Sequence, residues 1–409
     1  MAGKVLHCLS QRPLLTGSGV TLAAQVRRAA AAGWDQCVIV GVPSEDSRPA
    51  VGSLPSDRVR PLVFEQNNLD FPVPGMSDVM PYRSSIFSSL STTQLVAYRQ
   101  AWRKHITEVV AEFRPDLIQS HHVWLMSALI KDLLPQTPVV THCHATGLRQ
   151  MALCPHLARE VKVGCARNER FLVLSSSHAE LLANSLDLPS DRIRIVGAGY
   201  REEIFNLPTG EYHRKGKLLY IGKYSAAKGL PWLLDAFERL VSRYDHLVLH
   251  VAGSGSGLEA SALRKRMVSL SPRVILHGQL AQPDLADLMR QCEVCVLPSF
   301  YEGVPLVLVE ALACGCRLVA TQLPGIEEQL APNLGAFIHL IPLPRLLKVD
   351  QPHPEDLPVF VDNLVTALIT ALDQPPPTAR INQLRASLAP FTWHSVWQRI
   401  EAVWTELLD

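Results

Sequence analysis

Strand and helix signals alternate along this chain, and the alternation starts twice. The first series opens with the apolar strand "KVLHCLS" and the helix "VTLAAQVRRAAAAG", stopped by a glycine, then the strand "QCVIVGVP". It continues through the amphipathic "YRQAWRKHITEVVAEF", "DLIQSHH", "LMSALIKDLL", "TPVVTHCH", "FLVLSS" and "HAELLANSL". Short continuous apolar runs separated by helices of roughly 10 to 15 residues predict parallel strands buried on both faces. Parallel strands need helical crossovers, so this pattern excludes an all-β or an all-α chain.

The second series opens with "KLLYIGK" and runs through "GLPWLLDAFERLVSRY", "HLVLHVAG", "LEASALRKRMVSL", "RVILHG", "PDLADLMRQC", "CVLPS", "VPLVLVEALACG" and "RLVAT". Between the two lies "GAGYREEIFNLPTGEYHRKGK", polar and bearing Gly and Pro. The expectation is an α/β protein of two Rossmann-like, doubly wound parallel-sheet domains facing a cleft. Residues 1–200 form the first, 201–385 the second, and 386–409 a helix that crosses back to the first. At 409 residues the chain is too long for one ordinary core. Residues 342–381 are rich in proline and read as less regular. The terminal "FTWHSVWQRIEAVWTELL" carries Trp393, Val396, Trp397, Ile400 and Val403 at helical spacing, a packing stripe.

Charge excludes one class of partner. The 39 basic and 38 acidic side chains nearly cancel, which gives no electrostatic footprint for nucleic acid. No stretch approaches the roughly 20 apolar residues that span a bilayer, and the start makes a poor signal peptide. The nine cysteines lack a framework spacing, and Cys292 and Cys295 read as opposite faces of one buried strand. Reduced thiols and a cytoplasmic location are expected.

Chemistry in parallel sheets collects where strands hand over to helices, at N-termini rich in free N–H groups. Three such turns stand out. In "TGSGV", Gly17 and Gly19 allow close backbone approach, although an ordinary tight turn fits nearly as well. In "IGKYSAAKGLP", Lys223 and Lys228 lie five apart, suited to neutralising a pyrophosphate, while two solvated surface lysines fit equally. In "SFYEGVPLVLVEALACG", Pro305 opens and Gly315 closes a helix whose only charge is Glu310, with Glu302 beside Gly303 just ahead. An ionised carboxylate in apolar surroundings is costly without strong hydrogen bonds. Hydroxyls or lysines would supply them, and a structural ion pair explains one glutamate more readily than both.

Here "EGVPLVLVE" resembles the E-x7-E element of retaining GT-B glycosyltransferases, family 4 in particular, and "YIGKYSAAKG" resembles that family's G-[RK]-x4-K-G phosphate element. "VAGSGSG", "VILHGQL", "LADLMRQCEVCVLPS", "PGIEEQL", "RPDLIQSHH" and "PVVTHCHATG" fall in family order. The resemblance implies a hexosyltransferase using a nucleotide-diphosphate sugar, UDP-sugar favoured, as co-substrate, with no other cofactor. Lys223 and Lys228 would hold the pyrophosphate, Glu310 the ribose hydroxyls and Glu302 the hydroxyls of the transferred sugar. The amides around Gly303, Val304, Pro305 and Leu306 would take the phosphate and sugar, and the base would lie near Val274 to His277. His144 stands where the family has its cleft histidine, so His144, Glu302 and Lys228 are the catalytic candidates. Retention of anomeric configuration is part of the same implication. No D-x-D occurs, so no metal-binding carboxylate pair is expected.

The acceptor, a sugar, glycolipid or small metabolite, is expected at the first domain's loops. Ser18, Asp78, Arg83, His121, His122 and Arg149 are candidates for its polar or anionic groups and Trp124 for a sugar face. Loop packing explains each of these singly as well. The basic helix 98–113 is compatible with peripheral contact at the inner membrane face, though its apolar stripe reads as an ordinary layer helix. Rival readings are a nucleotide-sugar epimerase or phosphorylase of the same architecture and a non-catalytic nucleotide-sugar-binding protein.

Overall fold

The computed structural model describes residues 3–13, 16–77, 80–207 and 214–409. The chain divides into two compact units, Met1–Gly197 with Trp393–Asp409, and Ala198–Thr392.

The sheet of the first unit has seven strands: β1 Lys4–Leu9, β2 Asp35–Val42, β3 Val59–Val63, β4 Leu117–His121, β5 Val139–His142, β6 Arg170–Val173 and β7 Ile193–Ile195. Every pairing is parallel, in the order β3-β2-β1-β4-β5-β6-β7. Successive side chains of a strand point to opposite faces, and the core divides accordingly. Leu6 and Cys8 join Tyr98, Trp102, Trp124 and Phe171 on one face. Val5 joins Leu117, Val140 and Leu172 on the other, closed by Trp393, Trp397, Ile400 and Trp404 of the helix Trp393–Leu408. Trp404 packs edge-on against Trp34 and Trp397 and donates from Nε1 to Gln119 Oε1 at 2.8 Å.

In the second unit the strands are β8 Lys217–Ile221, β9 Val248–Ala252, β10 Val274–Gly278, β11 Val294–Leu297, β12 Arg317–Thr321 and β13 Ile338–Ile341, all parallel, ordered β10-β9-β8-β11-β12-β13. Leu218, Tyr220, Val294 and Val296 face one core, and Leu219, Cys295 and Leu297 the other. Both sheets reverse direction of growth beside their first strand, between β1 and β4 and between β8 and β11. The carboxyl ends at such a switch point diverge and leave room for a ligand.

Three sequence expectations change. The stretch 342–381 contains the 17-residue helix Leu357–Asp373, whose Phe360, Val361, Leu364, Leu368 and Ala371 are buried. Pro358 falls in its first turn, where no donor is needed. Cys292 caps the helix Gln282–Gln291, so only Cys295 lies on the strand. Pro305 is the capping residue of the helix Leu306–Ala313 instead of its first member. All nine cysteines are buried, none in a disulfide. Among the described residues no helix is long and apolar enough to cross a membrane. In the helix Thr92–Phe113, Arg99 and Arg103 are paired with Glu160 and Asp132, and Tyr98, Trp102, Ile106, Val109 and Phe113 are buried, as a layer helix requires.

Candidate functional site

At the switch point of the second unit, the turn after β8 carries Lys228 and the turn after β11 carries Glu302. A short 3-10 turn, Ala226–Lys228, ends on Gly229 at φ +72°, the left-handed region where a side chain is strained. A Cβ at Gly229 would lie 1.9 Å from the Pro298 carbonyl oxygen, so the two turns touch through bare backbone. The Phe300 N–H donates to the Ala227 carbonyl at 3.0 Å and the Ala226 N–H to Glu259 Oε1 at 2.6 Å, fixing the turn from two further sides. Lys228 Nζ then reaches Glu302 Oε1 at 2.7 Å, and the Ser299 hydroxyl donates to the same oxygen at 2.8 Å. Both charged side chains keep partial access to solvent, 26% for Lys228 and 18% for Glu302, so the pair is reachable by a ligand.

Lys223 lies two residues beyond β8, exposed and without an ion pair among the described residues. The amides of Gly303 and Val304 have no backbone partner among the described residues, whereas the Leu306 N–H donates to the Val304 carbonyl at 3.0 Å. Gly325 presses on this turn, since a Cβ there would lie 1.8 Å from the Gly303 carbonyl oxygen. Glu310 is half-buried in the helix that follows, and burial pushes its carboxyl up to about 7. That carboxyl has no hydrogen-bond partner among the described residues, which leaves it with unused acceptor capacity.

Beside β8, β9 and β10 the same unit holds a pocket of about 320 Å³, lined by Tyr224, Ser254, Ser261, Arg264, Leu276 and His277. His277 Nε2 is 2.9 Å from His250 Nδ1, the rings stacked at 5.2 Å. Burial pushes His250 down to about 4 and lowers His277 as well, so the pair is neutral near pH 7.

In the first unit, imidazoles gather at the ends of β4 and β5. His144 caps the helix Ala145–Leu153. Its ring stacks on His142 at 4.7 Å and on His121 at 5.5 Å, and lies 4.7 Å from His122. The Nε2 of His144 is 3.2 Å from His121 Nδ1, and His122 Nδ1 is 3.1 Å from the Thr146 hydroxyl. Burial holds all four rings below the ordinary imidazole value of 6.5, with the neighbouring imidazoles adding to the effect. His122 adopts φ +69°, an uncommon conformation that the bond from its N–H to the His142 carbonyl at 3.0 Å maintains.

The remaining acceptor candidates are dispersed. Ser18 is buried and bonded to Gln11 at 2.6 Å. Gly17 and Gly19, expected at the donor instead, lie in the first turn of the helix Gly17–Ala31 and not in a loop ahead of it. Arg83 is 81% exposed and paired with Glu65, and Arg149 is exposed. Asp78 lies outside the described residues. His121 and His122 are buried, their Nδ1 atoms spent on protein partners, so they do not present polar atoms to a loop surface. Trp124 is 1% exposed and packs edge-on to Phe87, which removes it as a platform for a sugar.

The family model for glycosyl transferases group 1 matches residues 215–341, and the glycosyl transferase 4-like domain matches residues 16–199. The chain belongs to the group 1 glycosyltransferases of family 4. Its relatives include an MMP α-(1→4)-mannosyltransferase of Mycolicibacterium hassiacum, 26% identical over 58% of this chain and 54% of that protein. Another is a phosphatidyl-myo-inositol mannosyltransferase of Mycobacterium tuberculosis, 33% identical over 32% of this chain and 34% of that one. The chain thus spans about half or less of the length of these curated relatives. The chain shares its fold with sucrose-phosphate synthase of Thermosynechococcus elongatus, at a TM-score of 0.70, 17% identity and coverage of 100% and 99% of the two chains. It shares it too with Anabaena HepE, solved in complex with UDP and glucose, at 0.65, 16%, 98% and 99%.

Sequence reasoning missed Ser299, Glu259, His142 and the Arg264 side of the pocket. Ser299 stood in the quoted stretch three residues from Glu302. Glu259 and Arg264 carried no local signal, because their positions depend on a helix meeting a turn some thirty residues away.

Proposed function

We propose that this glycosyltransferase moves a hexosyl unit from a nucleotide-diphosphate sugar, UDP-sugar favoured, to a polar acceptor, with retention and without a divalent metal. The observation that carries the reading is the Lys228–Glu302–Ser299 cluster at the switch point of the second unit. A lysine and a glutamate joined there match the needs of a donor with an anionic diphosphate and a neutral, hydroxyl-bearing sugar. Two similar structures support the donor class: HepE was solved with UDP-glucose, and an Escherichia coli trehalose-6-phosphate protein with UDP-2-fluoro glucose.

In this reading Lys223 and Lys228 neutralise the diphosphate, and the N–H groups of Gly303 and Val304 add donors where negative charge develops on the leaving group. Glu302 and Glu310 accept hydrogen bonds from sugar and ribose hydroxyls, and the pocket at His277 takes the base. The C1–phosphate oxygen bond breaks as the acceptor oxygen attacks C1 from the same face. The acceptor's proton passes to the departing phosphate oxygen, so no protein base is required. His144 contacts the transferred sugar, and the first unit serves the acceptor. A membrane-associated acceptor, and a cytoplasmic setting with the protein peripheral at the inner membrane face, belong to the same proposal.

A thermal-shift panel of nucleoside diphosphates and their sugars tests it, on the wild type and on Glu310→Ala. A ligand at 100 times its Kd stabilises by about 2.7 kcal/mol, a shift of several degrees. The expected outcome is such a shift with UDP or a UDP-sugar, lost in the variant. A folded protein that responds to no nucleotide would overturn the reading.

A further inference from the structure

We infer that His121 sets the tautomer of His144, so that His144 offers an Nδ1–H donor to its ligand and not a basic nitrogen. The inference rests on the reading of His144 as a sugar contact.

The argument begins with the shared bond. His121 Nδ1 and His144 Nε2 are 3.2 Å apart, with the rings 15° from parallel. Burial keeps both imidazoles neutral near pH 7, so the link holds one proton, carried by one ring and accepted by the other. The far nitrogen decides which. His121 Nε2 is enclosed and has no hydrogen-bond partner among the described residues. Were His121 protonated at Nε2, that N–H would be a buried donor with no acceptor. A bare lone pair in the same place is the less costly orphan, as it is for buried backbone groups. The His121 proton therefore sits on Nδ1 and is donated to His144 Nε2. With Nε2 accepting, the neutral His144 ring carries its own proton on Nδ1.

The rest of the cluster holds this arrangement still. His142 lies flat against His144, 10° from parallel, and is itself fixed by Gln25 Nε2 at 3.0 Å from its Nδ1. His122 closes a further side of His144 at 47°. The Nδ1 of His144 is absent from the enclosed, unpartnered atoms of this cluster and bonds to no described residue. It is the nitrogen left for a ligand. An N–H donor there suits a hydroxyl or phosphate oxygen, and it cannot take a proton from the acceptor. His121 is thus a positioning residue, acting through His144.

The decisive measurement is a long-range ¹H–¹⁵N correlation spectrum of the full chain labelled at histidine, near pH 7, with His144 assigned by its loss in His144→Gln. The expected spectrum shows His144 protonated at Nδ1 and bare at Nε2. A proton on Nε2 of His144 overturns the inference, and this reading needs no His121 variant to fold. Turnover of UDP-glucose, followed as UDP release, adds a second test. His121→Leu is expected to lower kcat by about 100-fold with little change in donor KM, the size of a misplaced contact. His121→Asn, whose amide N–H replaces Nδ1–H, is expected to recover most of it. Leucine and asparagine variants with equal activity would refute the positioning role. Unchanged turnover in His144→Ala would instead refute the sugar-contact reading, leaving the tautomer result standing.

Discussion

Replacing Gly229 by alanine probes the join between the two turns of the proposed donor site. The new Cβ would start 1.9 Å from the Pro298 carbonyl oxygen and 2.6 Å from its carbon, both backbone atoms that cannot swing aside. Carbon atoms essentially never approach closer than 3.0 Å, so the turn must retreat by about 1 Å. Two costs add. Holding alanine at φ +72° costs roughly 1–2 kcal/mol, and forcing apart a close-packed contact costs about 1–3 kcal/mol. The expected loss is therefore about 2–5 kcal/mol. For a unit of this size each kcal/mol moves Tm by about 2–4 °C, so the drop should be about 4–20 °C by differential scanning fluorimetry. Retreat also lengthens the Lys228–Glu302 contact from 2.7 Å, so donor binding should weaken even well below the new Tm. Gly303→Ala is the control, because a Cβ there meets nothing within 4 Å. Its stability should stay within about 0.5 kcal/mol of the wild type, as for an unconstrained surface change. A Gly229→Ala protein melting within a degree of the wild type would refute the claim that bare backbone contact fixes the turn.

Lys228→Met should lower transfer by about 10²–10³-fold, the loss of one charge-stabilising group. Its stability cost should be small, about 1–2 kcal/mol, because both partners retain solvent access; steady-state UDP release and urea unfolding separate the two effects. Glu310 gives a pH signature. With its folded value near 7 and its ordinary value 4.5, the folded chain holds a proton that the unfolded chain releases between those limits. The carboxyl thus destabilises the fold increasingly as pH rises from about 4.5 to 7, and fully above that. Glu310→Gln should gain on the order of 2–3 kcal/mol over the wild type at pH 8 and nothing near pH 4, read from urea midpoints; a pH-independent difference would contradict the assignment. Trp404→Phe removes the donor to Gln119 Oε1 and leaves a buried acceptor unpaired, so it should cost about 1–3 kcal/mol in the same unfolding assay.

What the sequence revealed and what it hid follow one rule. The central strands were legible because both faces are buried, which gives runs such as "KVLHCLS" and "KLLYIGK" their apolar continuity. Three strands of the two large sheets went unread: Val59–Val63, Ile193–Ile195 and Ile338–Ile341. All are at sheet edges, where one neighbour suffices and burial is partial; Pro61 is tolerated in Val59–Val63 for that reason. The prolines around Leu357–Asp373 masked a helix whose stripe was intact. At the candidate site, Lys228, Glu302 and Glu310 could be singled out because each turn packs its charges into a few consecutive residues. The imidazole cluster was only half legible. His121 and His142 are register partners on adjacent strands, a relation that pairing alone creates, and so His121 read as a loop residue. Trp124 misled because an aromatic residue beside two histidines looks like a binding surface until Phe87 is seen to cover it.

The helix Trp393–Leu408 imposes an order on synthesis. It closes one face of a sheet whose seven strands all precede residue 198, yet the whole second unit is translated in between. On the ribosome, Val5, Leu117, Val140 and Leu172 must wait without that helix while some 195 residues are made. At about 5–20 residues per second that interval is roughly 10–40 s. The intervening unit is continuous in sequence and can complete itself first. The nascent first unit is then the aggregation-prone species, and a holding chaperone would find its hydrophobic target on that open face.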